Sequence, residues 1–391
     1  MTKMKKAKIV LHYDEIALKG NNRSYFEKVL VSNLRHFFKS KGIKLEVERS
    51  WGRIFAKGDI SEELFESIKF NLKRFPGLSS FGLAYSMPLD MSNAEALAEH
   101  FASQLDGKSF RVSARRVNKS FPKSSQDFER DFGALIYKAA KEPKVSMKNF
   151  DLEFFAEILD REILLYVKEK GLGGLPSASS GKAVSLLSAG FDSPVASFLL
   201  QKRGVRVFPL HFHASEKTGK EPLEAVKDLS RILSEYQSGI KLAVIDVFEI
   251  QKYIAKNAPE KLRIVLIRRV FMRLASKYAE QLGALALITG ESVGQVASQT
   301  LENIIASNEA ASLPVLRPLS GLNKNEIIDI ARFIKTEEVS SRPCEDTCSL
   351  FLPKFPETKA KMEEVLKVEK NLSELADLEE RAYAAMETFN F

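Results

Sequence analysis

Residues 184–196 read VSLLSAGFDSPVA: a short apolar run breaks at Ser188 into a turn of small residues, and a helix pattern begins at Asp192. A β-strand feeding such a turn lets the backbone N–H groups of Ala189, Gly190 and Phe191 converge on an anion, with the positive end of the following helix dipole behind them. Gly190 permits close approach of the bound group, and Ser188 and Ser193 supply hydroxyls. No lysine follows the glycine, which argues against the GxxxxGK[ST] loop, whose lysine reaches the terminal phosphates.

Beyond this loop the hydrophobic period keeps switching. Residues 205–213 and 241–247 read as buried strands, 221–236 and 259–282 as helices, and 284–290 as another strand. Strands alternating with helices predict an α/β domain with a doubly wound parallel sheet covered on both faces. Ligands of such sheets sit beyond the carboxyl ends of the strands, where Ser188, residues 211–213 and Gly290 fall.

Upstream, a strand at 7–13, an amphipathic helix at 22–41 and two strands within 44–56 around Trp51-Gly52 predict a small α+β unit. A second α+β unit follows, with helices at 61–72, 93–105 and 125–140, strands at 82–87 and 109–117, and a hairpin at 151–168. Residues 171–181, GLGGLPSASSG, are the best linker candidate. The expected domains are therefore 1–59, 60–168 and 182–391, with 169–181 between the last two.

With 45% hydrophobic and 28% charged residues and no apolar run near the roughly 20 residues a bilayer requires, the 391-residue chain reads as globular, with no membrane span. The opening MTKMKKAKIVLHY lacks a small-residue cleavage site and reads as a first strand; two cysteines and no export signal predict a reducing cytoplasm. A net charge of +8 suggests a polyanionic partner. It concentrates in residues 111–123, RVSARRVNKSFPK, where Arg111, Arg115, Arg116, Lys119 and Lys123 carry five positive charges without an acid. Such a run is either a solvated basic strand and loop or a phosphate-backbone contact.

The 188–193 turn resembles the SGGxDS loop of enzymes that split ATP into AMP and pyrophosphate, with Ala189 at the usual first glycine. Further segments occur in one order: His211-Phe212-His213, GESVGQVASQTL at 290–301, RPLSGLNKNEI at 317–327, and a cysteine after Arg342-Pro343. Together they resemble the tRNA 4-thiouridine synthetases, the ThiI family of tRNA uracil 4-sulfurtransferases. HYDEIALKGNNRSYFE at 12–27 is similar to that family's N-terminal ferredoxin-like domain, and residues 60–168 to its THUMP RNA-binding domain.

The resemblance implies conversion of tRNA uridine 8 to 4-thiouridine with ATP, Mg²⁺ and persulfide sulfur from a cysteine desulfurase. It also implies, in many members, sulfur supply to thiamine thiazole synthesis, and a homodimer with tRNA spanning both chains. It assigns Leu186, Leu187, Ser188, Gly190, Ser193, His211, Phe212, Arg268, Gly290, Gln299 and Lys324 to the nucleotide. Asp192 would be catalytic and hold the metal; Cys344 would carry or resolve the persulfide. Lys19 and Arg23 join the basic segment as RNA contacts.

Each residue has a plainer reading. Asp192 would serve as a helix N-cap, His211 and His213 as ordinary strand residues, Arg268 as a solvated or ion-paired helix residue, and Lys324 as a surface lysine in the loop before a helix at 325–336. Two cysteines complete neither a zinc site nor a three-cysteine cluster, so persulfide chemistry is preferred, with Cys348 either the partner thiol or a small buried residue. Some members of the family carry the persulfide cysteine on a C-terminal rhodanese domain. Here no cysteine follows Cys348, only a polar stretch at 357–391 read as helical, which implies a short form. Two other functions compete: another ATP-splitting enzyme of this loop class, such as an amide-forming ligase, and a catalytically silent tRNA-binding protein.

Overall fold

Strict alternation in the first strand sets up the N-terminal half: Ile9 and Leu11 enter the main hydrophobic core while Val10, between them, packs with Phe55, Ala84, Leu164 and Tyr166 in a separate cluster. The computed structural model describes residues 7–214, 219–343 and 355–391, so Cys344 and Cys348 lie outside the described residues. The chain divides into two units between Leu175 and Pro176.

The first unit runs β1 (Lys8–His12), α1 (Arg23–Ser40), β2 (Glu46–Ser50), β3 (Arg53–Lys57), α2 (Glu62–Lys73), β4 (Ser80–Met87), α3 (Ala94–Ala102), β5 (Ser109–Arg116), α4 (Ser125–Ala139), β6 (Lys144–Val145), β7 (Leu152–Ile158), β8 (Ile163–Val167) and β9 (Glu169–Lys170). Serines start two of its helices, Ser61 accepting from the Leu64 N–H and Ser124 from the Asp127 N–H. The strand order is β2-β3-β1-β4-β8-β7-β5-β6, with β9 also on β4.

The expected division after residue 59 therefore crosses a continuous sheet. β4 pairs antiparallel with β1 through Leu11↔Phe81 and with β8 through Tyr85↔Leu165, and one core collects Leu30, Phe65 and Phe81 together with Phe101, Phe128 and Phe154. The first part of the expected linker is also bound to this unit: Lys170 pairs with Ser80, the Gly171 N–H donates to the Ser79 carbonyl at 2.9 Å, and Leu172 and Leu175 are buried. Gly171 is there for close approach, since a Cβ would strike the Leu78 backbone.

The second unit runs β10 (Lys182–Leu186), α5 (Asp192–Lys202), β11 (Arg206–His213), α6 (Glu221–Ser234), β12 (Lys241–Asp246), α7 (Phe248–Asn257), α8 (Arg263–Leu282), β13 (Ala286–Ile288), α9 (Leu301–Asn308), β14 (Val315–Leu316), α10 (Lys324–Ile334), α11 (Glu337–Ser340), α12 (Met362–Lys370), α13 (Leu375–Ala384) and β15 (Glu387–Asn390). Its sheet order is β14-β13-β10-β11-β12-β15. The chain leaves β10 for β11 on one side and later returns to β13 on the other, so the strand order reverses at β10 and a crevice opens at its carboxyl end.

Two local readings change. The 357–391 stretch is helical only in part: its last strand, β15, lies antiparallel on β12, from Lys241↔Asn390 to Val244↔Glu387. Lys324 is the first residue of α10, started by a capping box in which Asn323 accepts from the Glu326 N–H and Glu326 accepts from the Asn323 N–H. Helices α12 and α13 are tied to α8 by ion pairs, Arg269 to Glu369 at 2.8 Å and Arg273 to Glu369 at 2.7 Å and to Glu379 at 2.5 Å.

Candidate active site

The decisive loop is held by its own serines. Ser193, in the first turn of α5, accepts from the Ser188 N–H at 2.8 Å, and its hydroxyl lies 3.1 Å from the Ser188 hydroxyl. One turn on, Ser197 donates to the Ser193 carbonyl and lies 2.7 Å from Ser185 of β10, so a buried hydroxyl chain fixes the helix start to the strand. Phe191 occupies the N-cap position and gives no side-chain cap to α5, which leaves the first-turn N–H groups facing the crevice without that partner.

Gly290, just past β13, closes the other side. A Cβ at this position would lie 2.6 Å from the Ser193 nitrogen and 2.7 Å from the Asp192 carbonyl carbon, so the backbone just past β13 meets the start of α5 through a residue without a side chain.

Around this contact lies a cavity of about 330 Å³ whose lining includes Leu186, Leu187, Ser188, Gly190, Asp192, Ser193, His211, Phe212, Arg268, Gly290 and Gln299. Its apolar wall is the Phe212 ring stacked on Phe271 of α8, with centroids 4.0 Å apart and planes at 8°. The structure thus brings these expected nucleotide residues together. Lys324 stands apart from the lining and pairs with Asp192, Nζ to Oδ1 at 2.6 Å, while Gln295 donates to Asp192 Oδ2 at 2.9 Å. Asp192 lies one residue inside the helix, so the N-cap reading fails and its carboxylate is an acceptor at the cavity edge.

His211 is buried, with Nδ1 2.9 Å from the Leu187 carbonyl. A carbonyl only accepts, so Nδ1 carries the proton, and Nε2 is buried without a protein partner. Burial pushes this imidazole down from 6.5 to about 4, opposed by the Leu187 bond and aided by His213. The unfolded chain then takes a proton below about pH 6.5 that the folded chain refuses until about pH 4. Stability is complete above pH 6.5 and falls as pH drops through that window, by up to roughly 3 kcal/mol. Urea titrations at pH 7 and pH 5 are expected to show this loss, and His211→Asn to reduce it; an equal loss in both proteins would remove His211 as its source.

Sequence reasoning missed Glu291. Its buried carboxylate receives the Arg268 guanidinium at Oε1, and at Oε2 both Arg317 Nε at 2.7 Å and Thr289 Oγ1 at 2.9 Å. Both partners were within view, since Glu291 follows Gly290 and Arg317 opens the RPLSGLNKNEI segment. Also missed was Ser340, which donates to the Gly190 carbonyl at 3.2 Å; Arg342, which the sequence offers as a cation beside the Cys344 thiol, lines the cavity and pairs with Asp228 at 2.6 Å. Among the described residues, no three His, Cys, Asp or Glu side chains form a metal-ligand cluster, and no helix is long and apolar enough to cross a membrane.

The basic segment of the first unit is divided in use. Arg111 pairs with Glu153 at 3.1 Å, Arg116 donates to the Phe121 and Lys123 carbonyls, and Lys123 pairs with Asp131 at 2.9 Å. Arg115 and Lys119 are exposed. Lys19 lies over the Phe26 ring at 5.1 Å, and Arg23 bonds Glu27 at 2.9 Å.

Three family profiles match in order: the ThiI ferredoxin-like domain at 8–82, the THUMP domain at 92–168, and the thiamine biosynthesis protein ThiI at 178–374. A "Probable tRNA sulfurtransferase" of Caldanaerobacter subterraneus subsp. tengcongensis is 41% identical over 365 residues, covering 93% of this chain and 95% of its own. One of Coxiella burnetii is 40% identical over 394 residues, covering 98% and 99%. A solved 4-thiouridine synthetase, in complex with RNA and with bound ATP, superposes with a TM-score of 0.87 at 32% identity, over 99% of this chain and all of the other. The loop, the cavity and this full-length similarity agree: the chain belongs to the ThiI family of tRNA sulfurtransferases.

Proposed function

We propose that the protein is an ATP-dependent tRNA sulfurtransferase that converts uridine 8 of tRNA to 4-thiouridine. The observation that carries this reading is a single cavity with an anion-binding end, the 188–193 loop, and an aromatic end at Phe212 and Phe271. A nucleoside triphosphate has that polarity.

The uracil C4 oxygen is a poor leaving group. Its attack on the α-phosphorus of ATP forms the O–P bond and breaks the bond to pyrophosphate, which the loop N–H groups, Ser188 and Ser193 hold as charge develops. Arg268, oriented by Glu291, adds positive charge at the same wall. The terminal sulfur of a carrier persulfide then attacks C4 and the oxygen departs with AMP, which leaves the base joined to the carrier sulfur by an S–S bond. A second thiol attacks the carrier sulfur, forming a disulfide and releasing 4-thiouridine, and an external thiol reductant restores the pair.

Asp192, now paired with Lys324, is the carboxylate that would hold Mg²⁺, and bound Mg²⁺ would neutralise phosphate charge. Cys344 follows the cavity-lining Arg342 by two residues in the sequence. Persulfide from a cysteine desulfurase, a homodimer and a cytoplasmic setting complete the reading.

The test is mass spectrometry of tRNA after incubation with the protein, Mg-ATP and a sulfur source. Wild type is expected to add sulfur at uridine 8 and Asp192→Ala to lose at least about 100-fold in rate, the scale of losing a transition-state charge contact. Cys344→Ser should abolish transfer, and loss in Cys348→Ser as well would indicate a thiol pair. Absence of sulfur from tRNA that the wild type demonstrably binds would leave a silent tRNA-binding protein as the reading.

A further inference from the structure

The 3-10 turns Glu15–Leu18 and Gly20–Asn22 bring the start of α1 beside the β2–β3 hairpin tip, and there three side chains form one column. The buried Tyr13 ring is its base. The Arg23 guanidinium lies over that ring at 5.6 Å and over the Trp51 ring at 5.5 Å. Trp51, the only tryptophan of the chain, is 76% exposed.

The column is pre-organised. Arg23 Nε donates to Glu27 at 2.9 Å and its Nη2 to the Tyr13 hydroxyl at 2.8 Å, while that hydroxyl donates to the same Glu27 oxygen. Glu27 is further covered by Arg49, whose Nη1 lies 3.3 Å from it and 3.0 Å from the Ser24 hydroxyl. The one carboxylate of the cluster is thereby enclosed by two arginines, and its charge is more than offset. Gly52, at φ +76°, turns the hairpin so that its Cα side approaches Arg23.

The cation–π contact with Arg23 uses one face of the exposed indole. A column that begins in the core, alternates ring and cation, and ends on an open indole face is a surface on which one more planar group can stack. We infer that Trp51, backed by Arg23, is a stacking platform for an unpaired RNA base, with Arg49 and Lys19 as flanking charges for its phosphates. This rests on the proposed tRNA-binding function and adds a contact that reads strandedness, because a base inside a duplex has no free face.

The sole tryptophan makes the test direct. Intrinsic fluorescence of the full chain is followed during titration with a short single-stranded RNA, with a fully paired duplex of equal length, and with tRNA. Quenching by the single strand and tRNA, and little by the duplex, is expected. Filter binding of tRNA to Trp51→Ala should show a loss of about 5- to 100-fold, with Trp51→Phe retaining most of the affinity. The slope of log K against log salt should be unchanged in Trp51→Ala and smaller in Arg49→Ala and in Lys19→Ala, because only these remove a charge placed against phosphate. Equal quenching by duplex and single strand, or tRNA affinity in Trp51→Ala within about twofold of wild type, would overturn the platform while leaving the sulfurtransferase reading intact. Failure of the wild type to bind tRNA at all would overturn both.

Discussion

Gly290→Ala is expected to lose nucleotide binding by about 10- to 100-fold, the equivalent of the 1–3 kcal/mol typical of overpacking a closed site. The reason is local and steric. The new methyl would sit 2.6 Å from the Ser193 nitrogen and 2.9 Å from its Cα, and the atoms it meets are backbone, with no rotamer to turn away. Relief requires the start of α5 to move off β13, yet Ser193 and Ser197 tie that helix to the loop and to β10. The methyl therefore displaces the anion-binding N–H groups and keeps the remainder of the sheet. Nucleotide titration by calorimetry, with circular dichroism to verify the fold, is the measurement. Wild-type affinity in the alanine variant would show that the start of α5 can part from the end of β13 without cost.

Glu291→Gln should act through charge. The carboxylate balances Arg268 and Arg317, and a neutral amide would leave two guanidiniums facing each other with one oxygen between them. Removing one member of a buried ion cluster costs roughly 3–5 kcal/mol; the partial exposure of both arginines lowers the expectation to about 2–3 kcal/mol here. Urea denaturation reads that loss, and nucleotide affinity should fall with it as Arg268 leaves its place on the cavity wall. Adding Arg317→Gln is expected to recover part of the stability and little of the affinity, because Arg268 remains without its counter-ion. A variant that matches wild type in both measurements would make Glu291 a spectator.

These two residues mark what the sequence could reveal. Gly290 was legible because a strand pattern ended at it and the chemistry of a switch-point crevice needs bare backbone there. The loop at 188–193 was legible for the same reason: strand, small turn and helix follow each other within a few residues. Glu291 was visible only as one more acid, since its role depends on Arg268 from α8 and Arg317 after β14, brought together by the fold. Lys324 shows a signal that was present and unread, the Asn323-x-x-Glu326 capping box that places it inside α10.

The strand β15 is a different case. Glu387, Thr388, Phe389 and Asn390 lack the alternation that announces a strand, and the edge of β12 supplies the order that their own pattern does not. In the basic segment, composition alone made five equivalent charges; tertiary pairing with Glu153, with Asp131 and with loop carbonyls distinguishes Arg111, Lys123 and Arg116 from the exposed Arg115 and Lys119.

The position of β4 has a bearing on heredity. Sequence profiles recognise two N-terminal modules, 8–82 and 92–168, as though each were a card that evolution could deal separately. Yet β4, the strand that straddles the end of the first, is hydrogen-bonded along β1 on one flank and along β8 of the second on the other. A recombination between the two modules would carry this shared rib away from one of them and leave its neighbour with a raw edge. The piece that can be lost, borrowed or grafted intact is thus the whole stretch from the first strand to about residue 175, and lineages are expected to inherit it as one indivisible cassette.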